Sequence, residues 1–542
     1  MGRLRIRFVA ALGLVSTLIS VIGCQGESKP GAPSEKGVTG EAAQAASPKQ
    51  GGYLIVPSPE PRILNPVTQA AFDVATPLVY EGLVGLDHKL EPVPLLAESW
   101  ERSSDGKVLT FHLRKDVTWH DGKPFTADDV LFTVETIRKT QATIWNAYLA
   151  SVASIAAKDA QTVVVTYKQV YGPDVASFIF GILPKHLFEG QDLAKASANV
   201  NPVGTGPYKL LHWSPGKDMV LTANTKYWNG RPKIDQIELR FDVPDKEHLA
   251  ALRDRRLDFA EIREPSEWSG VLQTPEFLEQ FETGTTDETT MTLITWNNQR
   301  KPLDDKRVRI GLEQALDRPR VIEEVLGGAG RPISGPFYPT MWGADPNIAP
   351  WPFDKAAAGK LLDEAGFPKK GGKRMTLEIL VEDARRGTIY DGSLAIFRAD
   401  LADIGVELKV LYLPRAELID RLILRNFQAA LFDFSADIPD PDPYALLHSS
   451  QVNAGQNFAG YVSTDADKIL EAARALQDRA KRKEAYFALH KIVHEDEPYS
   501  FLYVVRRSYA WSRRVHGVSP LDVSALPRYP GVSRWWVDPG KT

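Results

Sequence analysis

The sequence predicts a mixed α/β protein made of several domains, and three observations lead to this expectation. The chain has 542 residues, which at roughly 150 residues per domain predicts about three or four domains. Charged residues make up 25% and hydrophobic residues 43%, the composition of a soluble globular protein. Strand-like and helical patterns are interspersed without a strict βαβ rhythm, and no internal repeat with a period of about 20–50 residues is found. These patterns favour α/β lobes over a barrel or a solenoid.

Strand-like segments recur along the chain after residue 50. Val108–Arg114 is the most regular, because apolar and polar residues alternate with the period of a half-buried strand. Gly51–Val56 is an apolar run that ends at prolines. The other segments predicted as strands are Val163–Tyr167, Ile237–Phe241, Leu377–Val381, Glu407–Leu413, Ala429–Phe434 and Ser500–Val505.

Helical segments lie between these strands. The first starts at Thr126–Asp129, which has the form of a capping box with Asp in place of Glu, and apolar residues on one face follow it. A second helix is predicted to begin at Asp354 and to stop at Gly366. A third, long and charged on its outer face, is predicted over roughly Asp467–Asp496.

Charge and cysteine content exclude several functions. The net charge is −4, so the chain lacks the basic excess that nucleic-acid binding usually requires. The sequence contains one cysteine, which excludes an internal disulfide, thiolate metal clusters and CxxC redox chemistry. We therefore expect no nucleic-acid partner.

The N-terminus has the pattern of a secretory signal. Arg3, Arg5 and Arg7 precede the uncharged run Phe8–Ile22, which is shorter than the about 20 residues that a membrane-spanning helix needs. The run leads into Gly23 and the single cysteine, Cys24, which together resemble a bacterial lipobox. That resemblance implies a signal peptide over residues 1–23 and a lipid on the Cys24 thiol after cleavage. The alternative is an ordinary signal peptide with a chance cysteine nearby.

A tether is predicted over residues 24–50. This segment is rich in Gly, Ala, Ser, Pro and Glu and has no aromatic residue, so it cannot bury enough apolar surface to fold. As a flexible chain it would span about 25–30 Å, which is enough to hold a globular domain away from a membrane surface.

Motifs for catalysis and metal binding are nearly absent from the sequence. It contains neither a Gly-x-Ser-x-Gly elbow nor a phosphate-binding loop. His490 and His494 could share a helix face as metal ligands do, but the Glu of a zinc protease is missing, and a solvated helix face is the alternative. Asp437, Asp440 and Asp442 crowd one loop, with a spacing that does not fit a calcium loop. We expect no enzyme activity, no metal and no cofactor.

One group of motifs is more specific than the others. It comprises Leu95–Glu101, Ser104–Gly106, Phe111–Arg114 and Val117–Val130. Further motifs are Tyr80–Leu83, Gly204–Tyr208, Tyr227–Gly230, Asp305–Arg309, Ala315–Arg318, Leu361–Phe367, Ser435–Asp437 and Asp440–Asp442. Taken in the order in which they occur along the chain, these motifs resemble those of the family 5 solute-binding proteins of bacterial ABC importers, which bind peptides, dipeptides or nickel. Most of these motifs read as turns and helix starts, so they identify the fold more than the ligand.

The resemblance implies a two-lobed, periplasmic-binding-protein-like α/β fold (type II, cluster C) with an extra domain. Lobe I would combine residues 51–88, 200–300 and 502–542, domain II would be inserted at 89–199, and lobe III would span 301–501. The lobes would close around a ligand, and the closed complex would dock on a membrane permease powered by an ATPase. The resemblance also implies a monomer, periplasmic or otherwise extracytoplasmic, that is held by its lipid on the cell membrane or outer membrane.

The resemblance points to Asp437 as the main ligand-binding residue. In peptide-binding relatives an aspartate in the matching Ala-Asp context pairs with the ligand's α-ammonium group. The alternative is a loop carboxylate satisfied by backbone N–H groups. Phe434 stands where relatives have tryptophan and keeps an apolar wall, and Ser435 belongs to the same motif. Arg385 and Arg386 could meet a ligand carboxylate, but no motif anchors either residue to the cleft.

Four further residues are candidates for ligand contact. Asn65 follows the first strand, where relatives place a cleft loop. Trp296 and Asn297 lie at the expected first crossing between the lobes, and Tyr503 lies at the return crossing. Ordinary core positions are the alternative for each of them.

The leading hypothesis is a lipid-anchored binding protein for short peptides. A second is the same fold binding a non-peptide solute, such as a metal chelate, a haem-like cofactor, an oligosaccharide or an opine-like compound. A secreted hydrolase is the hypothesis from another class, and the missing nucleophile and metal motifs count against it. A sensor or chaperone that reuses the fold is the fourth.

Overall fold

The computed structural model describes residues 48–68, 73–140, 145–435, 440–523 and 528–538. The predicted signal peptide, Cys24, most of the predicted tether and Asp437 lie outside the described residues. None of the helices within the described residues combines the length and the apolar character needed to cross a membrane.

The elements are numbered in chain order over the described residues. The strands are β1 Tyr53–Pro57, β2 Val84–Leu86, β3 Pro92–Pro94, β4 Ala97–Arg102, β5 Val108–Leu113, β6 Val152–Asp159, β7 Thr162–Tyr167, β8 Tyr208–Ser214, β9 Asp218–Ala223, β10 Gln236–Arg240, β11 Phe259–Ile262, β12 Phe281–Trp296, β13 Gly330–Pro332, β14 Met375–Glu382, β15 Val406–Leu413, β16 Ala429–Ser435, β17 Tyr499–Ser512, β18 Val515–His516 and β19 Trp536–Val537. The α-helices are α1 Thr76–Val79, α2 Ala127–Lys139, α3 Trp145–Leu149, α4 Lys185–Phe188, α5 His248–Arg253, α6 Pro265–Ser269, α7 Pro275–Leu278, α8 Lys306–Gln314, α9 Arg318–Glu324, α10 Lys355–Glu364, α11 Ile389–Asp403, α12 Arg415–Ile423, α13 Tyr444–Leu447, α14 Gln451–Ala454, α15 Thr464–Ala475 and α16 Arg479–Asp496.

The mixed α/β prediction is confirmed, and every segment predicted as a strand coincides largely with one. The second predicted helix is also confirmed as α10, where the Asp354 side chain accepts hydrogen bonds from the first backbone N–H groups. The third predicted helix is wrong in one respect, because two helices, α15 and α16, replace it. The chain leaves the helix at Leu476, which is extended, and the Asp478 side chain caps the start of α16.

The largest sheet of the described residues has seven strands in the order β11-β17-β12-β16-β14-β15, with β13 paired to β17. Strands β14, β15 and β16 are parallel to one another. Leu377, Ile379 and Val381 of β14 join a core formed with α8, α10 and α11. Leu380, between them, joins a core with α12 on the opposite face. Alternate residues of β14 therefore face different helical layers, as the period of a strand requires.

The long strands β12 and β17 cross from one half of this sheet to the other. Their antiparallel pairing runs from Phe281↔Ser512 to Thr295↔Tyr499 and is irregular between Asp287 and Met291. At the irregularity the Asp287 carboxylate, whose side chain is 6% exposed, lies 3.5 Å from Arg331 and 3.6 Å from Arg506. The sheet is thus continuous where β12 and β17 pass from one half to the other, but the register of their pairing changes there.

Two further four-stranded sheets have cores of their own. The antiparallel sheet β4-β5-β7-β6 packs with α2 around one core. The sheet β1-β10-β9-β8 shares a core with Tyr509 and Trp511 of β17 and with Trp535. Residues near the C-terminal end of the chain therefore pack against the sheet that contains the first strand. The residue bounds predicted for the three domains stay a prediction.

Candidate functional site

The candidate site lies at one edge of the seven-stranded sheet. Because β14, β15 and β16 are parallel, their carboxyl ends at Glu382, Leu413 and Ser435 meet at the same edge. Strand β12 reaches this edge at Thr290, which pairs with Ser435 and lies in the stretch where the pairing of β12 with β17 is irregular. In open α/β sheets, ligands bind outside the carboxyl ends of the parallel strands. We call this side of β14, β15 and β16 the carboxyl edge. The long strands β12 and β17 extend beyond these three strands there.

An ion pair lies at the carboxyl edge. Arg385, three residues beyond the end of β14, places Nη2 2.9 Å from Oδ2 of Asp433 on β16. The Tyr390 hydroxyl donates to the same oxygen at 2.7 Å, and the guanidinium lies 4.1 Å from the centre of the Tyr390 ring. The side chains of Arg385 and Asp433 are 15% and 17% exposed. Burial acts to lower the pKa of Arg385, but the nearby Asp433 charge outweighs it and the pKa is raised, so the arginine stays charged.

Asp433 belongs to a row of side chains across three strands. It pairs in register with Thr292 of β12, which pairs with Tyr503 of β17. Tyr503 is fully buried, and its hydroxyl lies 3.1 Å from the Ser393 hydroxyl. Burial raises the pKa of Tyr503 to about 12, so it remains a neutral hydroxyl at physiological pH. The row connects the ion pair to the crossing strand β17.

The other charged groups of the carboxyl edge are also paired. Arg415 Nη1 lies 3.0 Å from the Glu382 carboxylate, and Arg385 Nε lies 3.9 Å from it. The Arg386 guanidinium stacks 3.8 Å from the Tyr412 ring centre. The Tyr412 hydroxyl donates to Asp391. These contacts therefore bring arginines and carboxylates together along the edge.

The residues predicted at the crossings are buried in the structure. Trp296 is 1% exposed, and its Nε1 donates to the Ser500 hydroxyl at 2.9 Å. Asn297 is 2% exposed and donates to the backbone oxygens of Arg425 and Phe427 at 2.9 Å. The polar groups of both residues are thus engaged inside the protein. Ligand contact by Trp296 and Asn297 stays a prediction.

Asn65 is also buried and lies in a different core. It is fully buried, its Nδ2 donates to Asn199 at 2.9 Å, and its Oδ1 accepts from the backbone N–H of Val67. Ligand contact by Asn65 and Tyr503 likewise stays a prediction. Phe434 is half-buried against the core under β17, and Ser435 is exposed, with its hydroxyl 3.2 Å from that of Thr290. These two side chains are brought to the carboxyl edge.

Asp437 lies outside the described residues, but the acidic residues after it are described. Asp440 forms a buried ion pair with Arg482, and Asp442 lies 2.6 Å from Arg474. Burial raises the pKa of Asp440 to about 6, against the lowering effect of Arg482. Both carboxylates are therefore held by arginines of α15 and α16.

The two histidines of α16 do not form a solvated helix face, so that expectation is wrong. His490 is 2% exposed, its Nε2 lies 3.0 Å from the Ser334 hydroxyl, and its Nδ1 accepts from the backbone N–H of Asp345. His494 stacks on Trp351 with ring centres 4.6 Å apart. A segment distant in sequence covers this face. The described residues contain no group of His, Cys, Asp or Glu side chains arranged to hold a metal.

Apart from the carboxyl edge, a set of contacts joins the region after β16 to the segments that flank β3 and the sheet β4-β5-β7-β6. At the junction of α15 and α16, Gln477 Nε2 donates to Gly106 O at 3.1 Å and to Asp174 Oδ2 at 3.2 Å. The backbone N–H of Gly172 donates to Arg474 O at 2.7 Å. Arg479 forms an ion pair with Glu91. The break between α15 and α16 thus provides the groups for this contact.

Sequence reasoning did not identify Asp433 and Tyr390 and could not place Arg385. Their association joins residues from different strands and from α11, so no local pattern predicts it. One signal was present: Arg385 follows the end of a predicted strand, and Asp433 lies in the last third of another. Charged residues at strand ends of an α/β sheet are candidates for a common edge.

The chain is similar to known proteins over most of its length. The family model described as "Bacterial extracellular solute-binding proteins, family 5 Middle" matches residues 91–456. "Protein XP55" of Streptomyces lividans is 30% identical over 514 residues, covering 90% of both chains. The "Oligopeptide-binding protein AppA" of Bacillus subtilis is 27% identical over 555 residues, covering 97% of this chain and 98% of that protein.

Solved structures share the fold. The structure of AppA from Bacillus subtilis, in complex with a nonapeptide, has a TM-score of 0.71 at 25% identity and covers 91% of this chain and 100% of its own. NikZ from Campylobacter jejuni, in complex with Ni(L-His), has a TM-score of 0.72 at 25% identity and covers 89% of this chain and 99% of its own. This likeness confirms the two-lobed α/β fold that the motifs imply.

Proposed function

Since this chain belongs to family 5 of the bacterial extracellular solute-binding proteins, we propose that it captures short peptides in the cleft between its two lobes and delivers them to an ABC permease driven by an ATPase. The family predicted from the motifs is confirmed. The observation that supports the proposal is the polar carboxyl edge, where Asp433, Ser435 and Thr290 lie beside the long strands β12 and β17. The named relatives that bind oligopeptides and dipeptides support a peptide as the solute.

Closure of the lobes would capture the ligand. Binding stabilises a closed state when the ligand contacts both lobes only in that state. The irregular pairing of β12 and β17 near Asp287 supports bending at the crossing. The contact of Gln477 with the turn between β4 and β5 and that of Arg479 with Glu91, just before β3, would break on opening and form again on closing. Peptide binding and these contacts would then favour the same state.

We assign the recognition of the peptide α-ammonium to Asp437. A carboxylate in a closed cleft gives a charge-assisted hydrogen bond, which is stronger than a neutral one. The neighbouring Asp440 and Asp442 are occupied by Arg482 and Arg474, so neither of them is the carboxylate we assign to this role. Removing a partner from a fully buried charge pair costs about 3–5 kcal/mol, so the affinity should fall at least about hundredfold.

The experiment is titration calorimetry with di- to pentapeptides on the purified protein. Wild type should bind at least one length class, and Asp437→Asn should lose most of the affinity. Asp465→Asn is the matched control, because it removes a carboxylate with 80% side-chain exposure from the outside of α15. Absence of binding to every peptide would overturn the proposed function. Unchanged affinity in Asp437→Asn would overturn the ammonium role alone.

The same titration separates peptides from other solutes. NikZ, which was solved with Ni(L-His), makes a nickel–histidine chelate the appropriate comparison ligand, and oligosaccharides test the other alternative. Tight binding of the chelate without binding of peptides would replace the proposal with the second hypothesis. Mass spectrometry of peptides after incubation should find no cleavage products, as expected for a binding protein that catalyses no reaction.

We further propose that the protein acts outside the cytoplasm as a lipid-anchored monomer. Gly23 and Cys24 resemble a lipobox, and a lipid on Cys24 would hold the folded part at a membrane through the tether. Cells that express wild type should retain the protein in the membrane fraction, and Cys24→Ser should release it. Membrane retention of Cys24→Ser would contradict the anchor, and sedimentation of the released protein measures its oligomeric state.

A further inference from the structure

The arginines of the carboxyl edge already contact the protein's own side chains, and two of the three form ion pairs. Arg385 is paired with Asp433 at 2.9 Å, and Arg415 is paired with Glu382 at 3.0 Å. Arg386 stacks on Tyr412, whose hydroxyl donates to Asp391. Arg385 has the lowest exposure of the three, so it would be the most effective anchor for a ligand carboxylate if it were unpaired. Its charge is instead balanced by a carboxylate from the neighbouring strand.

Asp433 is held firmly in this position. The ladder between β12 and β16 fixes its backbone opposite Thr292. The Tyr390 hydroxyl holds its Oδ2 at 2.7 Å, and Tyr390 also lies under the guanidinium of Arg385. A ligand carboxylate that approached Arg385 would meet a fixed negative charge on the same guanidinium. Like charges close together in a partly buried site disfavour each other strongly.

One atom of each partner has hydrogen-bonding capacity left. Arg385 Nη1 and Asp433 Oδ1 are buried and find no partner within the described part of the chain. Together they can still both donate and accept a hydrogen bond. A single peptide residue, with its N–H and C=O groups, supplies that combination without a net charge. A free carboxylate supplies acceptors alone.

We propose that Asp433 makes the carboxyl edge select an uncharged peptide group instead of a free carboxylate. The ligand class is then an oligopeptide whose C-terminus lies beyond this edge, or a peptide with a neutral C-terminal amide, and not a dipeptide with its carboxylate on Arg385. Asp433 acts through Arg385 and is a specificity-determining residue. This inference rests on the proposed peptide-binding function.

The test compares peptides that differ only at the C-terminus. Each di-, tri- and pentapeptide is titrated as the free acid and as the amide into wild type, Asp433→Asn and Asp391→Asn. Asn at 433 keeps an oxygen for Tyr390 and removes the charge. Asp391→Asn removes a charge from the same edge. The hydrogen-bond partners of Asp391 are Tyr412 and the backbone N–H of Gly387, and not Arg385, so this variant controls for the loss of any negative charge near the edge.

Wild type should bind each dipeptide amide at least as tightly as the acid. Asp433→Asn should tighten the binding of the acids by about tenfold or more, as expected for a charge-assisted hydrogen bond, and should leave the amides within about threefold. The acid-to-amide ratio would not change if Asp433 were merely structural, because a loss of structure weakens both forms together.

Three results would overturn the inference. One is a wild-type preference for dipeptide acids of tenfold or more, and another is the same acid-to-amide ratio in wild type and Asp433→Asn. An equal change of the ratio in Asp391→Asn would also refute the specific role of Asp433. If no peptide binds to any variant, the proposed function fails and this inference fails with it. Peptide binding with an unchanged ratio rejects the inference alone.

Discussion

Glu81 is a buried carboxyl group whose protonation should make the stability of the protein depend on pH. It is 4% exposed, and its two oxygens accept hydrogen bonds from Tyr227 Oη at 2.6 Å and Trp228 Nε1 at 3.1 Å. Burial raises the pKa of Glu81 from 4.5 to about 7, although these bonds act in the opposite direction. The perturbation we consider is Glu81→Gln, which keeps the shape and removes the titration.

The sign follows from the raised pKa. The folded protein holds the Glu81 proton more tightly than the unfolded chain, so the stabilising contribution is complete below the unfolded pKa of 4.5 and is lost as the pH rises through about 7. The difference of about 2.5 pKa units corresponds to about 3 kcal/mol. The free energy of unfolding of wild type, relative to Glu81→Gln, should therefore fall by about 3 kcal/mol between pH 4.5 and pH 8.

The assay is denaturant unfolding of both proteins across this pH range, followed by tryptophan fluorescence. Glu60→Gln is the matched control, because Glu60 also accepts from an indole, that of Trp213 at 2.9 Å, but at an exposed position. A difference between wild type and Glu81→Gln that stays constant within about 1 kcal/mol from pH 5 to pH 8 would refute the reasoning. It would mean that Glu81 does not change its protonation in this interval.

Three further predictions follow from buried contacts. Arg482→Met should leave the buried Asp440 carboxylate unpaired and lower the unfolding free energy by about 3–5 kcal/mol; a loss below about 1 kcal/mol in denaturant unfolding would contradict this. Gly204→Ala should lower the thermal unfolding temperature, because a Cβ would overlap the Val79 backbone oxygen and overpacking costs about 1–3 kcal/mol or more; an unchanged midpoint would show that the turn can shift freely. Gln477→Ala should weaken closure by about 1–2 kcal/mol, since two hydrogen bonds are lost, and should increase the radius of gyration of the ligand-free protein in solution scattering; the same radius as wild type would remove this contact from the closure mechanism.

Local patterns predicted much of the fold. The segment Val108–Arg114 was predicted as a strand because its alternation of apolar and polar residues reflects burial of one face, and β5 covers most of it. The break between α15 and α16 was missed because Leu476–Asp478 contains neither Gly nor Pro, although Asp478 is a typical N-cap. His490 was placed on a solvated face because nothing in α16 shows that the segment containing Ser334 covers it.

The candidate site could be predicted only in part, because it also depends on contacts between segments that are distant in sequence. Phe434 and Ser435 could be found from their motif, and both reach the carboxyl edge. The pairing of Arg385 with Asp433 depends on the order of strands in the sheet, which places β14 beside β16. A pattern within either strand carries no information about that order, so the partner of Arg385 became visible only in the assembled sheet.

The position of β17 has a consequence for the time at which the protein can fold. This strand lies between β11 and β12 in the seven-stranded sheet, yet it follows every other strand of that sheet in sequence. While the chain is being synthesised, the middle of the sheet stays incomplete until β17 has emerged, and pairing over such long sequence separations is slow. The largest sheet of the described residues therefore cannot close during translation, which agrees with the export proposed above.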